Sequence, residues 1–135
     1  MAGDSPAHAL LHRVAQAADL CLKPWRHSAR YAADCNEACA VSQDGLDDVR
    51  LWIEVRNAAG QRCPERDLEL EIYRSGDALN LMIQPLADER APLLWHGSHP
   101  VWMASDSGER ISAPPDAAGL ESFSRRLRAL LLSSS

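Results

Sequence analysis

Three segments between Val49 and Ile83 place an aliphatic side chain at every second position, a period that suits a half-buried β-strand and not a helix. In Val49-Leu51-Ile53-Val55, Leu68-Leu70-Ile72 and Leu79-Leu81-Ile83 the aliphatics keep one phase, while Arg50, Trp52, Glu54, Glu69, Glu71, Tyr73, Asn80, Met82 and Gln84 fall between them. Successive side chains of a strand leave opposite faces, so the pattern dictates a sheet with one dry face and one mixed face. Gly76-Asp77 joins the second segment to the third, and glycine at the first of two loop positions favours a type II′ turn. That turn sets Tyr73 opposite Asn80, Ile72 opposite Leu81 and Leu70 opposite Ile83. A slip of one residue would turn every aliphatic toward water.

A dry sheet face needs a cover. Ser5 before Pro6 reads as an N-cap followed by proline in the first turn, where its missing N–H does no harm. Ala7, Leu10, Leu11, Val14, Ala17, Ala18 and Cys21 then recur at helical steps and predict an apolar stripe ending near Leu22. Pro24 stops or bends this helix. The stretch from Trp25 to Ala40, with Trp25, Ala32, Cys35 and Cys39 roughly on one side, reads as a second helix. Toward the other end, Pro114-Pro115-Asp116 closes the sheet region and supplies an N-cap. Leu120, Phe123, Leu127, Leu130 and Leu131 mark a final amphipathic helix, with Arg125, Arg126 and Arg128 pointing mostly away from its apolar stripe.

Between these ends, Asn57 to Arg66 reads as a mobile loop containing Gly60 and Pro64. Pro92-Leu-Leu-Trp-His and Val101-Trp-Met-Ala read as two further, less regular strands, and Asp106-Ser-Gly before Glu109-Arg-Ile as a tight turn. The expected fold is α+β, in the order ααβββββα: an antiparallel meander of about five strands packed by N-terminal and C-terminal helices. Residues 1–135 suit a single domain of this kind.

Composition narrows the function classes. With 46% hydrophobic and 24% charged residues the chain matches a folded soluble protein, and no apolar run approaches the roughly 20 residues of a membrane helix. Met1-Ala-Gly-Asp-Ser-Pro lacks the basic and apolar stretches of an export signal, so the cytoplasm is the expected location. In that reducing compartment Cys21, Cys35, Cys39 and Cys63 are expected as thiols. A net charge of -5 opposes general phosphate attraction, which makes nucleic acid an unfavoured partner unless Arg125, Arg126 and Arg128 join Arg13 or Arg30 in one stripe. Lys23 is the lone lysine among 14 basic residues, a bias that points to a GC-rich, bacterial source.

The segment Trp95-His-Gly-Ser-His-Pro-Val-Trp102 holds the densest set of functional side chains, two indoles bracketing two imidazoles. Histidine moves protons near neutral pH, and tryptophan offers a broad apolar surface with one donor. The bland reading is a strand-turn-strand whose tryptophans complete a core poor in phenylalanine. Ser98, His96 or His99, and Asp106 supply the residue types of a hydrolytic triad, but no Gly-x-Ser-x-Gly elbow presents the serine. Cys35 with Cys39 and His8 with His12 each sit one helical turn apart, with His27 and Cys63 as further candidates. Neither a Cys-x2-Cys knuckle nor a glutamate after the first histidine accompanies them, so no metal or cofactor is expected.

These residues lead to a small cytoplasmic protein-interaction or assembly-factor module without catalytic activity. Its expected contacts, with a partner protein or a second copy of the chain, are Trp52, Tyr73 and Met82 of the mixed face together with Trp95, His96, His99 and Trp102. The alternative is a small-molecule-binding protein or enzyme in which His96 and His99 line a pocket.

Overall fold

The segments Val49–Arg56, Leu68–Ser75 and Ala78–Pro85 form adjacent antiparallel strands, with their in-phase aliphatics buried on one side. This computed structural model describes residues 6–32, 41–42, 45–46, 48–76, 78–115 and 117–133. Helix α1 (Pro6–Cys21) precedes strand β1 (Arg26–Tyr31), the short pair β2 (Val41–Ser42) and β3 (Gly45–Leu46), and β4 (Val49–Arg56). A 3-10 turn (Pro64–Arg66) leads into β5 (Leu68–Ser75), and β6 (Ala78–Pro85), β7 (Leu93–His96), β8 (Pro100–Met103) and β9 (Arg110–Ile111) follow. Helix α2 (Ala117–Ser133) closes the chain. The fold is thus α+β and its main sheet fully antiparallel, in the order β1-β4-β5-β6-β7-β8-β9.

The β5–β6 register is the one that the turn at Gly76 implies: Tyr73 faces Asn80, Ile72 faces Leu81 and Leu70 faces Ile83. Gly76 takes φ of 63°, a conformation that costs a side-chain-bearing residue but not glycine. Asp77, Ser5 and Asp116, the other turn and cap residues read from the sequence, lie outside the described residues.

Two expectations are corrected. Among the described residues the sheet has seven strands instead of about five, and Arg26–Tyr31 is a strand, not part of a second helix. Residues 33–40 of that proposed helix lie outside the described residues. In β1 the inward positions are His27, Ala29 and Tyr31, paired with Val55, Ile53 and Leu51 of β4. Only a small aliphatic and two polar-tipped rings mark its inner face, so alternation in hydrophobicity is nearly invisible. β9 is the return arm of the turn at Asp106-Ser-Gly, with Ile111 beside Trp102 and Arg110 beside Met103.

The core lies between the sheet and both helices. Leu10, Val14, Ala17 and Ala18 of α1 and Phe123, Leu127 and Leu131 of α2 pack with Leu51, Ile53, Leu70, Ile72, Leu81, Ile83 and Leu94. Each fully buried aliphatic contributes about 1.5–3 kcal/mol by leaving water. α1 lies over the β1 end, α2 over β6 to β8, and the helices touch each other. No described helix is long and apolar enough to cross a membrane.

The β4–β5 connection is organised by its own side chains. Asn57 Oδ1 accepts the N–H groups of Ala59 and Gln61, and Arg62 donates from both Nη atoms to the Asp67 carboxylate at 2.9 and 2.7 Å. Burial pushes the Asp67 carboxyl up, but the Arg62 hydrogen bonds, the Val55 N–H and the charges of Arg62 and Arg30 outweigh it and hold the group below the usual carboxylate range.

Candidate functional site

With both described helices on the dry face, the reverse of the sheet is the surface to examine. Period-two geometry delivers to it Arg26, Ser28 and Arg30 from β1, Arg50, Trp52, Glu54 and Arg56 from β4, and Glu69, Glu71 and Tyr73 from β5. The same geometry adds Met82 and Gln84 from β6, Leu93 and Trp95 from β7, and Val101 and Met103 from β8. The face is divided. Its β1–β4–β5 half is charged and its β6–β7–β8 half is largely apolar.

On the charged half Arg30 and Arg50 are paired with acids, while Arg26 and Arg56, neighbours across β1 and β4, have no ion pair among the described residues. The Arg30 guanidinium stacks 4.5 Å from the Trp52 ring centre and its Nε lies 3.3 Å from Glu54, while Arg50 lies 3.8 Å from Glu69. Such exposed pairs add little stability, but they leave no uniform positive field for a phosphate backbone. Arg125 and Arg126 are exposed on α2, on the other side of the sheet from Arg30, so these arginines form no common stripe.

On the apolar half one aromatic is held in place. Trp95 Nε1 donates to Tyr73 Oη at 2.9 Å, and the indole lies across Gly97, where an added Cβ would come within 2.7 Å of the ring. Glycine is required there by close approach, not by backbone angle. Met82 and Val101 flank Trp95 on the neighbouring strands, and Met103 pairs with Leu93. Next to Met82, burial first, then Asp48 and Glu69, push the Glu71 carboxyl up against the opposing pull of Arg50. The site therefore presents a fixed indole, two methionines and two aliphatics, with a carboxyl at its inner edge.

The Trp95 to Trp102 segment is split between the two faces. β7 and β8 turn back through Gly97-Ser98-His99, which puts Trp95 opposite Val101 and sends Trp102, opposite Leu94, into the core. Trp102 is 5% exposed and its Nε1 donates to Glu121 Oε2 on α2 at 2.7 Å. His96 is also buried. The Ser124 hydroxyl donates to the Glu121 carbonyl and accepts from His96 Nδ1 at 2.8 Å, which assigns the Nδ1–H tautomer to the neutral ring. His99 stands exposed at the turn beside Ser98 Oγ, 3.2 Å away. The two histidines thus meet different surroundings, and no bond joins Asp106 to either among the described residues.

Burial lowers the His96 pKa, assisted by the charges of Arg128, Arg125 and His99 and opposed by Glu121. The folded protein resists protonation of this ring while the unfolded chain accepts it, so the unfolded state binds more protons as pH falls below about 6.5. Stability is expected to be complete above that pH and to decline beneath it, by at most about 1.4 kcal/mol per pH unit from this group. Urea unfolding at pH 8.0, 6.5 and 5.5 checks this, and His96→Gln should flatten the slope across the lower interval. An unaltered slope would show that other groups govern it.

Of the metal candidates, Cys35, Cys39 and the His8 side chain lie outside the described residues. Cys21 and Cys63 are free, and His27 Nδ1 bonds to Asp19 at 2.9 Å. Among the described residues no three His, Cys, Asp or Glu side chains converge as metal ligands.

The sequence reading overlooked Leu93, Val101 and Met103. Their signal was present: with a short turn at Gly97 to His99, residues of equal phase on β7 and β8 share a face, which groups Trp95 with Val101 and separates it from Trp102.

A family model described as a domain of unknown function, DUF8659, matches residues 11–130. No curated protein matches the chain, and no solved structure does.

Proposed function

The chain belongs to the DUF8659 family, and we propose that it is a small cytoplasmic protein-interaction or assembly-factor module without catalysis, docking a partner protein on the open face of its sheet. The observation that carries this reading is the pinned indole of Trp95 amid Met82, Leu93, Val101 and Met103, on a face that neither described helix covers. Aromatic and methionine side chains are enriched in interface cores, and an anchor already fixed loses little entropy on binding. Arg30 and Arg50 of the neighbouring half are paired within the chain, so the fitting partner presents a flat, mainly aliphatic or aromatic patch to Trp95 and its neighbours. His96 and Trp102 act in this reading as supports from beneath, holding β7 and β8 to α2.

Serine at both Trp95 and Met103 is expected to weaken partner binding at least about 30-fold, the scale of losing an interface hot spot, and to leave the fold intact by circular dichroism. Capture from native extract, followed by titration of the purified partner, measures this against the control Leu20→Ser on the outer side of α1. Light scattering of the purified protein tests a second copy as the occupant. Equal binding by the double variant and the wild type would overturn the proposal.

A further inference from the structure

Where α1 ends and α2 begins, the helices part over the strand ends and leave a cleft of about 350 Å³, within the range of small-molecule sites. It is remote from the open face, being lined from the helix side of the sheet. Its interior is apolar: Leu22, Val55, Leu68, Pro85 and Leu120 line it, with Val55 and Leu68 almost fully buried. One end is closed by the helices themselves, since a Cβ on Gly119 would lie 3.1 Å from Leu22 Cδ2. The volume could hold on the order of ten waters at liquid density.

The polar groups of the cleft stand on one wall and at its mouth. His27 lies on its wall with a side chain 1% exposed, and the Asp19 carboxylate accepts both its backbone N–H, at 2.7 Å, and its Nδ1, at 2.9 Å. Asp19 thereby fixes the proton on Nδ1, and Nε2 is the ring nitrogen left without a bond among the described residues. At the exposed mouth stand Lys23, Arg66 and Glu65, while the Asp19 carboxylate lies behind the wall, bonded to His27. The Arg66 guanidinium is stacked 4.1 Å from the Trp25 ring centre, which positions it over the opening. The ends of α1 and α2 that meet here have opposite dipole sign and offset one another. Lys23 and Arg66 are the cations that the mouth offers to an anionic group.

We propose that this cleft binds a small amphipathic acid, its aliphatic or aromatic body in the apolar interior, its anionic head between Lys23 and Arg66, and a polar group in reach of His27 Nε2. The fluorescent sulfonate 8-anilinonaphthalene-1-sulfonate, an aromatic acid of this kind, serves as the probe. Titrated into the intact protein, it should show saturable enhancement at one site per chain, with octanoate displacing it at least tenfold more effectively than octylamine. Lys23→Gln with Arg66→Gln, both at exposed positions, should weaken binding at least tenfold, whereas Trp95→Ala should leave it unchanged. His27→Phe, which fills the space without Nε2, should reduce affinity for 3-hydroxyoctanoate more than for octanoate. Absence of saturation, equal competition by octylamine, indifference to the Lys23 and Arg66 substitutions, or loss on Trp95→Ala would each overturn the proposal. The last would assign the probe to the open face instead.

Discussion

Trp102→Ala is expected to reduce the unfolding free energy by about 3–5 kcal/mol, as removal of a buried aromatic does where the surroundings cannot collapse into the space. The indole is 5% exposed, packed in the core between sheet and α2, and bonded to Glu121. Most of the loss comes from the cavity and lost apolar contact, because Glu121 retains access to solvent and to Arg125, 3.7 Å away. A fall in the thermal midpoint on the order of 10 °C should accompany it. Trp102→Phe, which keeps much of the volume and deletes the donor, should show a smaller loss and so separate packing from the hydrogen bond. A midpoint unchanged in Trp102→Ala would refute the assignment of this residue to the core, and with it the split of the Trp95 to Trp102 segment.

The second large effect tests the alternation itself. Leu70 is fully buried at the centre of the sheet, between Leu51 of β4 and Ile83 of β6. Leu70→Asp must either bury an unpaired charge or bind a proton and still lose the packing. Domains of this size are stable by only about 5–15 kcal/mol, so the variant is expected to lose its cooperative urea transition and near-ultraviolet dichroism. One residue further on, Glu71 belongs to the other face, where burial and Asp48 already disfavour its charge. Glu71→Leu should therefore unfold within about 1 kcal/mol of the wild type, close to the range of substitutions outside the core. Adjacent positions with such unequal outcomes require a strand with one dry face. A Leu70→Asp protein with a normal transition would exclude it.

Much of the fold was legible in local pattern. The phase of β4, β5 and β6, the β5–β6 register, the apolar stripes of α1 and α2 and the place where α1 ends all follow from residues within a few positions of each other. β1 was not legible, because Arg26-His-Ser-Ala-Arg-Tyr has almost no hydrophobic alternation and becomes a strand by pairing with β4. Tertiary context outweighs weak local preference at such an edge. The site was legible in part: Trp52, Tyr73 and Met82 lie where their phase puts them, on the mixed face, and Trp95 joins them there. His96 and Trp102 do not, because the turn at Gly97 to His99 reverses the chain and only the pairing across it decides which ring enters the core.

The cleft shows the same limit more sharply. Asp19, Lys23, His27 and Arg66 carry no common spacing, and they converge because α1 ends over the strand ends beside the 3-10 turn that begins β5. By itself the sequence determined a one-sided antiparallel sheet with helices at both chain ends, since periods of 2 and 3.6 are properties of a short stretch of chain. Only the tertiary structure decided that the described residues form a sheet of seven strands, which of Trp95 and Trp102 enters the core and where a partly apolar recess forms. Each of those depends on contacts between residues far apart in sequence, and no local period encodes them.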